Sequence, residues 1–219
     1  MDTHQRVVRR SAPYSRALLA LAALACGLLA YAVIWSNNQE RLPQLLDVQS
    51  ATAASLGAMG AVFARGQYAR AVRPMIGWVG QVVADAAPGE RLAWICYVIN
   101  GAQDSCTVID IGYRVTFFDD EDTSTPDDWR DMDEVTAVIV SHGVVRRRDF
   151  LLARTGPGMP LMGSGRMFLA WFTETALTQV QGLYVRLRVV DRVGDTHERV
   201  LDLLLGAERR PAHPDVRLG

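Results

Sequence analysis

The run from Ala17 to Ser36, ALLALAALACGLLAYAVIWS, carries no charged side chain, and as a helix it is long enough to cross the hydrocarbon of a bilayer. Within it Leu18, Leu19, Leu21, Leu24, Leu28, Leu29, Val33 and Ile34 supply the lipid-compatible surface. Trp35 stands near the end of the run, where interfacial aromatics collect. The chain is therefore expected to sit in a cell membrane by a single span over residues 17–36, preceded by a basic tail over residues 1–16. A processed N-terminus is the rival reading, because Ala23, Leu24, Ala25, Cys26 and Gly27 resemble a bacterial lipoprotein cleavage site. Two facts weigh against it. Ala23 stands where such sites carry leucine, and the apolar run continues past Cys26 to Trp35. An uncleaved anchor leaves Cys26 as a small packing residue inside the span.

Arg6, Arg9, Arg10 and Arg16 precede the run, and Arg41 is the one cation in the stretch just after it. Cationic flanks resist translocation, so the N-terminus is expected in the cytoplasm and the C-terminal domain outside it. Arg65, Arg70 and Arg73, a little further on, weaken that bias. The formal net charge of -1 gives no general pull toward nucleic acid, and none is expected as a partner.

Residues 37–72 read as a juxtamembrane helix or stalk. Asn37 to Arg41 are mostly polar, and Pro43 allows a new helix to begin. From there Leu45, Val48, Thr52, Ser55, Met59 and Val62 step by threes and fours. That spacing suits either one helix lying against its own domain or a short coiled-coil stalk joining two copies. Gly57 and Gly60 weaken the helix in both cases.

At Arg73 and Pro74 the texture turns to strand. Residues 75–83, 92–99, 106–118, 135–141, 167–173, 183–191 and 198–205 are rich in β-branched and aromatic residues and are separated by turn signals. In the third of these, Ile109, Ile111, Tyr113, Val115 and Phe117 alternate with more polar residues, which puts the apolar set on a core face. Gly194 and Asp195 fit the turn of a last hairpin. Short strands without a βαβ rhythm indicate a mainly β chain, an antiparallel β-sandwich over residues 73–205. The tail over residues 206–219, with Pro211 and Pro214, is expected to be disordered.

The segment YVINGAQDSCTVIDIGYRV, with the later GPGMPLMGSGRMFLAWF and LYVRLRVVDRVGDTHERV, resembles bacterial single-span membrane proteins that carry an immunoglobulin-like accessory domain. The resemblance implies an immunoglobulin-like sandwich. It also allows the domain to lie on the cytoplasmic side, as similar layouts do.

Cys96 and Cys106 flank the Asn100–Ser105 loop. With the loop centred on Gly101 they face each other and could form a disulfide; with Asn100 and Gly101 as a two-residue hairpin turn they point to opposite faces. Disulfide and two buried thiols both stand, with metal binding a remote third.

Asp119, Asp120, Glu121, Asp122, Asp127, Asp128, Asp131, Asp133 and Glu134 make the densest charge in the chain. Calcium would want such carboxylates, but the spacing lacks the central glycine and terminal glutamate of an EF-hand, so a solvated loop is favoured. Thr125 and Pro126 read as the start of a short helix that Trp129 pins to the sandwich. Arg146, Arg147 and Arg148 are too few to hold a membrane or nucleic acid alone, and pairing with the acidic segment or plain solvation is favoured.

No catalytic signature is present. The Gly156–Gly165 stretch lacks a phosphate-loop ending, Ser164 lacks the glycine of a nucleophile elbow, and His142 and His197 have no zinc-like spacing. Only a dispersed set such as Ser141, His197 and an aspartate could carry catalysis. No cofactor, catalytic residue or metal ligand is therefore expected. Two functions remain: a non-catalytic binding or assembly subunit whose sandwich docks a protein partner at the cell envelope, and a scaffold that forms homo-oligomers through the 45–62 helix.

Overall fold

The computed structural model describes residues 5–9, 12–37, 47–119 and 128–215. It divides into two compact units, a helical one over Arg10–Arg73 and a β unit made of Met1–Arg9 with Pro74–Gly219.

The helical unit holds α1, Ala12–Asn37, and α2, Val48–Ala71. Asp47 starts α2 by accepting a hydrogen bond from Ser50 N at 2.7 Å. The helices pack through small side chains. Ala25 and Ala32 are buried on α1 and Ala51, Ser55 and Ala58 on α2, and the Ser55 hydroxyl donates to the Ala25 carbonyl at 2.9 Å. The 45–62 spacing was expected to present Val48 and Met59 to a packing partner, yet these are 38% and 55% exposed. Among the described residues of that series only Ser55 is buried, because the close approach of two helices favours the smallest face over the most apolar one.

The β unit contains β1 (Arg6–Arg9), β2 (Ile76–Ala87), β3 (Arg91–Asn100), β4 (Cys106–Phe117), β5 (Phe150–Leu152), β6 (Pro160–Leu161), β7 (Gly165–Phe172), β8 (Val180–Val190) and β9 (Thr196–Asp202). Two short helices complete it, α3 (Met132–Ser141) and α4 (Glu174–Gln179). One sheet runs β1-β9-β8-β4-β6 and the other β2-β3-β7-β5, and neighbouring strands are antiparallel throughout. Facing side chains of both sheets share one core: Trp94, Val98 and Phe172 from one, Val108, Tyr113, Val185 and Leu187 from the other. Gly80 lets the sheet close over this core, since a Cβ there would lie 2.1 Å from the Trp94 ring.

Four elements differ from the sequence expectation. Residues 6–9, read as part of a free basic tail, form β1 against β9, with Arg6 opposite Glu198 and Val7 opposite His197. Residues 135–141, read as a strand, belong to α3. Asp131 and Glu134 form a reciprocal capping box there, and the buried Val135, Thr136 and Ile139 recur at helical spacing. Ile109 is 40% exposed, because a bulge between Val108 and Asp110 shifts the alternation and gives its core position to Val108. The stretch after Gly206, expected to be disordered, docks as far as Asp215. Arg209 donates to the carbonyls of Leu177, Val180 and Gln181, while Asp215 bonds both backbone groups of Val82.

The bulge leaves Ile109 outside the core that Leu187 helps to fill. Leu187→Ala, at a fully buried site opposite Ile111, should cost about 2–5 kcal/mol, whereas Ile109→Ala should stay within about 0.5 kcal/mol. Chemical denaturation midpoints of the two variants read this difference directly.

Candidate functional site

Asn100 governs the passage from the β2-β3-β7-β5 sheet to its partner. Its buried Oδ1 accepts from Met75 N at 3.2 Å and Ala102 N at 3.1 Å, and its Nδ2 donates to Asp104 O at 2.8 Å and Leu161 O at 3.4 Å. β3 and β4 therefore do not form the hairpin on which both cysteine readings were built. β3 pairs with β2 and β7, while β4 pairs with β8 and β6. Cys96 and Cys106 are free, buried thiols; Cys96 donates to Leu203 O at 3.2 Å, and Cys106 lies 3.9 Å from Leu161 O. Burial pushes the Cys96 thiol far up. Burial, with the nearby Asp191 charge, pushes the Cys106 thiol up to about 11.

The other charged residues singled out from the sequence are spent on structure. Arg148 pairs with its neighbour Asp149 at 2.9 Å, while Arg146 and Arg147 are exposed to solvent. The Asp149 carboxylate also takes Val145 N at 3.0 Å and Arg91 at 3.4 Å, so one buried carboxylate fastens the arginine cluster to β3. Burial alone would raise its pKa, but the bonds from Arg148, Val145 and Arg91 outweigh burial and hold it below the ordinary value. In the acidic segment Asp128 pairs with Arg130 at 2.8 Å and Asp131 caps α3. Residues 120–127, with Thr125 and Pro126, lie outside the described residues. Trp129 packs on the sheet beside Gly112, flanked by the guanidinium groups of Arg114 and Arg186 at 5.9 and 5.2 Å.

Ser141 and His197 are not brought together. The Ser141 hydroxyl donates to Val138 O at 2.7 Å, and His197 Nε2 lies 2.9 Å from the buried Asp191 carboxylate, which also holds the β8–β9 turn through Val193 N and Asp195 N. His142 stacks on Phe117 with ring centroids 3.6 Å apart. Among the described residues no three His, Cys, Asp or Glu side chains gather as metal ligands.

Two surfaces stand out. The first is α1, the one helix among the described residues long and apolar enough to cross a membrane, over Arg16–Ser36. Of the residues proposed as its anchor, Leu19, Leu21, Leu24, Val33 and Ile34 are exposed, and Leu18, Leu28, Leu29 and Trp35 are half-buried.

The second is the outer face of the β2-β3-β7-β5 sheet. Strand register places Val79 beside Tyr97 and Phe168, and Gln81 beside Ile95, Trp171 and Leu151. Val83, Ala87, Ala93, Ile95 and Trp171 form an apolar cluster distinct from the main core, with Tyr97, Leu151 and Phe168 half-buried at its margin. Tyr97 meets Phe168 edge-on at 5.9 Å, and the exposed Arg166 lies over the Tyr97 ring at 5.0 Å. The five cluster residues are themselves at most 8% exposed, so what this face offers a partner is its half-buried aromatic margin with Arg166, residue types enriched at protein interfaces. The signal for it lies in LAWICYVI, residues 92–99, which is apolar at both parities where a one-sided strand would alternate.

No protein-family model matches the chain, and no curated protein matches it.

Two measurements check these assignments. Both buried thiols should resist alkylation in the native protein and react fully after denaturation without reductant. Asp149→Asn should cost about 1–3 kcal/mol at neutral pH. Because the folded-state pKa of Asp149 is depressed, its contribution is complete above about pH 4 and is lost as pH falls through the folded value. The stability gap between wild type and variant, read by urea titration at several pH values, should therefore narrow on acidification.

Proposed function

We propose that this chain is a membrane-anchored, non-catalytic binding or assembly subunit, in which an immunoglobulin-like sandwich docks a protein partner through the outer face of the β2-β3-β7-β5 sheet. The observation that carries this reading is β3 itself, apolar on both faces: Trp94, Cys96 and Val98 fill the core, while Ile95, Tyr97 and Ile99 look outward. A sheet of this kind gains from being covered on both sides. The strand order supports the immunoglobulin-like assignment. With β2, β3, β5 and β7 taken as A, B, D and E, and β4, β8 and β9 as C, F and G, the sheets have the ABED and GFC orders of constant-type domains. β1 and β6 extend the second sheet at its two edges.

The membrane part of the reading rests on α1. A patch on a tethered domain needs little affinity, since tethering raises the local concentration of any partner in the same membrane.

A photo-crosslinking residue in place of Tyr97 should capture a protein in native membranes, and one in place of Asp195, in the β8–β9 turn, should not. Tyr97→Asp should abolish co-purification of the captured protein while leaving the thermal midpoint of the domain unchanged. Equal capture from both positions would refute the assignment of the face, and capture of the chain itself would favour the homo-oligomeric scaffold.

A further inference from the structure

We infer that α1 and α2 cross the bilayer together as a helical hairpin, so that the β unit lies on the same, cytoplasmic side as the N-terminus. The inference rests on the membrane-anchored reading above and deepens it.

The first support is where the helical unit leaves the β unit and returns to it. β1 is hydrogen-bonded to β9, and Arg6 pairs with the buried Glu198 at 2.5 Å. Gln5 joins the two junctions. Its Nε2 donates to Pro74 O at 2.6 Å and its Oε1 accepts from Ile76 N at 2.9 Å. The residues before α1 and after α2 thus meet at one place in the β unit. A lone span would hold them on opposite faces of a hydrocarbon layer about 30 Å thick, which these bonds forbid. A second crossing brings the chain back.

α2 has the length that crossing requires. It spans 24 residues, and at about 1.5 Å per residue it exceeds the thickness of the layer. No Asp, Glu, Lys or Arg occurs between Val48 and Ala64. α2 is less apolar than α1, but two of its hydroxyls are satisfied within the pair: Thr52 donates to Val48 O at 2.7 Å and Ser55 to Ala25 O at 2.9 Å. Small residues lie between the helices, as in close membrane packing, whereas Leu56, Met59 and Phe63 are 64%, 55% and 68% exposed. Lipid is the occupant that suits such side chains on a helix already paired with a membrane span.

Charge fixes the side. Arg6, Arg9, Arg10 and Arg16 precede α1, and Arg65, Arg70 and Arg73 lie at the far end of α2, so both open ends of the hairpin are cationic. The connection over residues 38–46 holds only Arg41, next to Glu40. Cationic flanks stay in the cytoplasm, which places both ends inside and the connection outside. Counted over one span, the later arginines contradict the earlier ones; counted over two, they agree.

The test is cysteine accessibility in the full-length chain expressed in a bacterial cytoplasmic membrane, with Cys26→Ala and the buried Cys96 and Cys106 retained. Single cysteines are placed at Gln39→Cys, Thr3→Cys and Glu208→Cys, and a membrane-impermeant maleimide is added to sealed spheroplasts. Gln39→Cys should label at once, while Thr3→Cys and Glu208→Cys should label only after permeabilisation. Labelling of Glu208→Cys with Thr3→Cys protected would overturn the hairpin in favour of one span. Protection of all three until permeabilisation would overturn the crossing, and labelling of both ends with Gln39→Cys protected would overturn the side. Release of the protein by alkaline carbonate would instead remove the membrane-anchored reading itself.

Discussion

The pairing of β1 with β9 is the constraint on which the rest of the chain depends. It joins residues far apart in sequence, and a buried carboxylate secures it: Glu198 is 2% exposed and accepts from Arg6 on β1 and Arg188 on β8. Burial alone would raise the Glu198 pKa, but those hydrogen bonds outweigh burial and depress it. The anion therefore persists at neutral pH, and removing either arginine would leave it poorly compensated. With the first strand fastened in this way, the helical unit lies in sequence between two parts of the β unit.

The same arrangement gives the two units different sources of stability. The β unit relies on one large apolar core together with a few buried polar hubs: Asn100 and Asp191 each satisfy several backbone groups, and Asp149 joins one backbone N–H to two guanidinium groups. Such hubs make a connection specific, because a slipped register would strand a buried amide or carboxylate without partners. The helix pair relies on the close approach of small side chains and on the cross-helix bond from the Ser55 hydroxyl. That economy suits a medium in which side chains gain little by leaving solvent.

Much of the β architecture was legible because it is periodic. β8 alternates along most of its length, and the boundaries of β4, β8 and β9 fall within a few residues of the expected ones. What escaped was carried by features that have no period. β1 is four residues long and its partner lies at the other end of the chain, while β5 and β6 have three and two residues. VTAVIVS has strand-like composition, and only the Asp131 and Glu134 pair upstream marks it as a helix. The outer-sheet patch went unread because a continuous apolar run shows that both faces avoid water without showing what covers the second. For the cysteines the spacing was clear but the connection was not, since a loop that looks like a hairpin instead passes between sheets, a choice made by the distant contacts of Asn100 with Met75 and Leu161.

β2 lies at the edge of its sheet, where unpaired backbone groups invite another strand. Asp215 occupies one such site, its carboxylate accepting from Val82 N at 2.7 Å and its own N–H donating to Val82 O at 2.9 Å. The stretch that ends in Asp215 thus shields the edge of its own sheet. Proteolytic trimming upstream of Asp215, or a fusion that drags the terminus away, would bare an adhesive seam, and the first symptom would be loss of solubility rather than loss of fold.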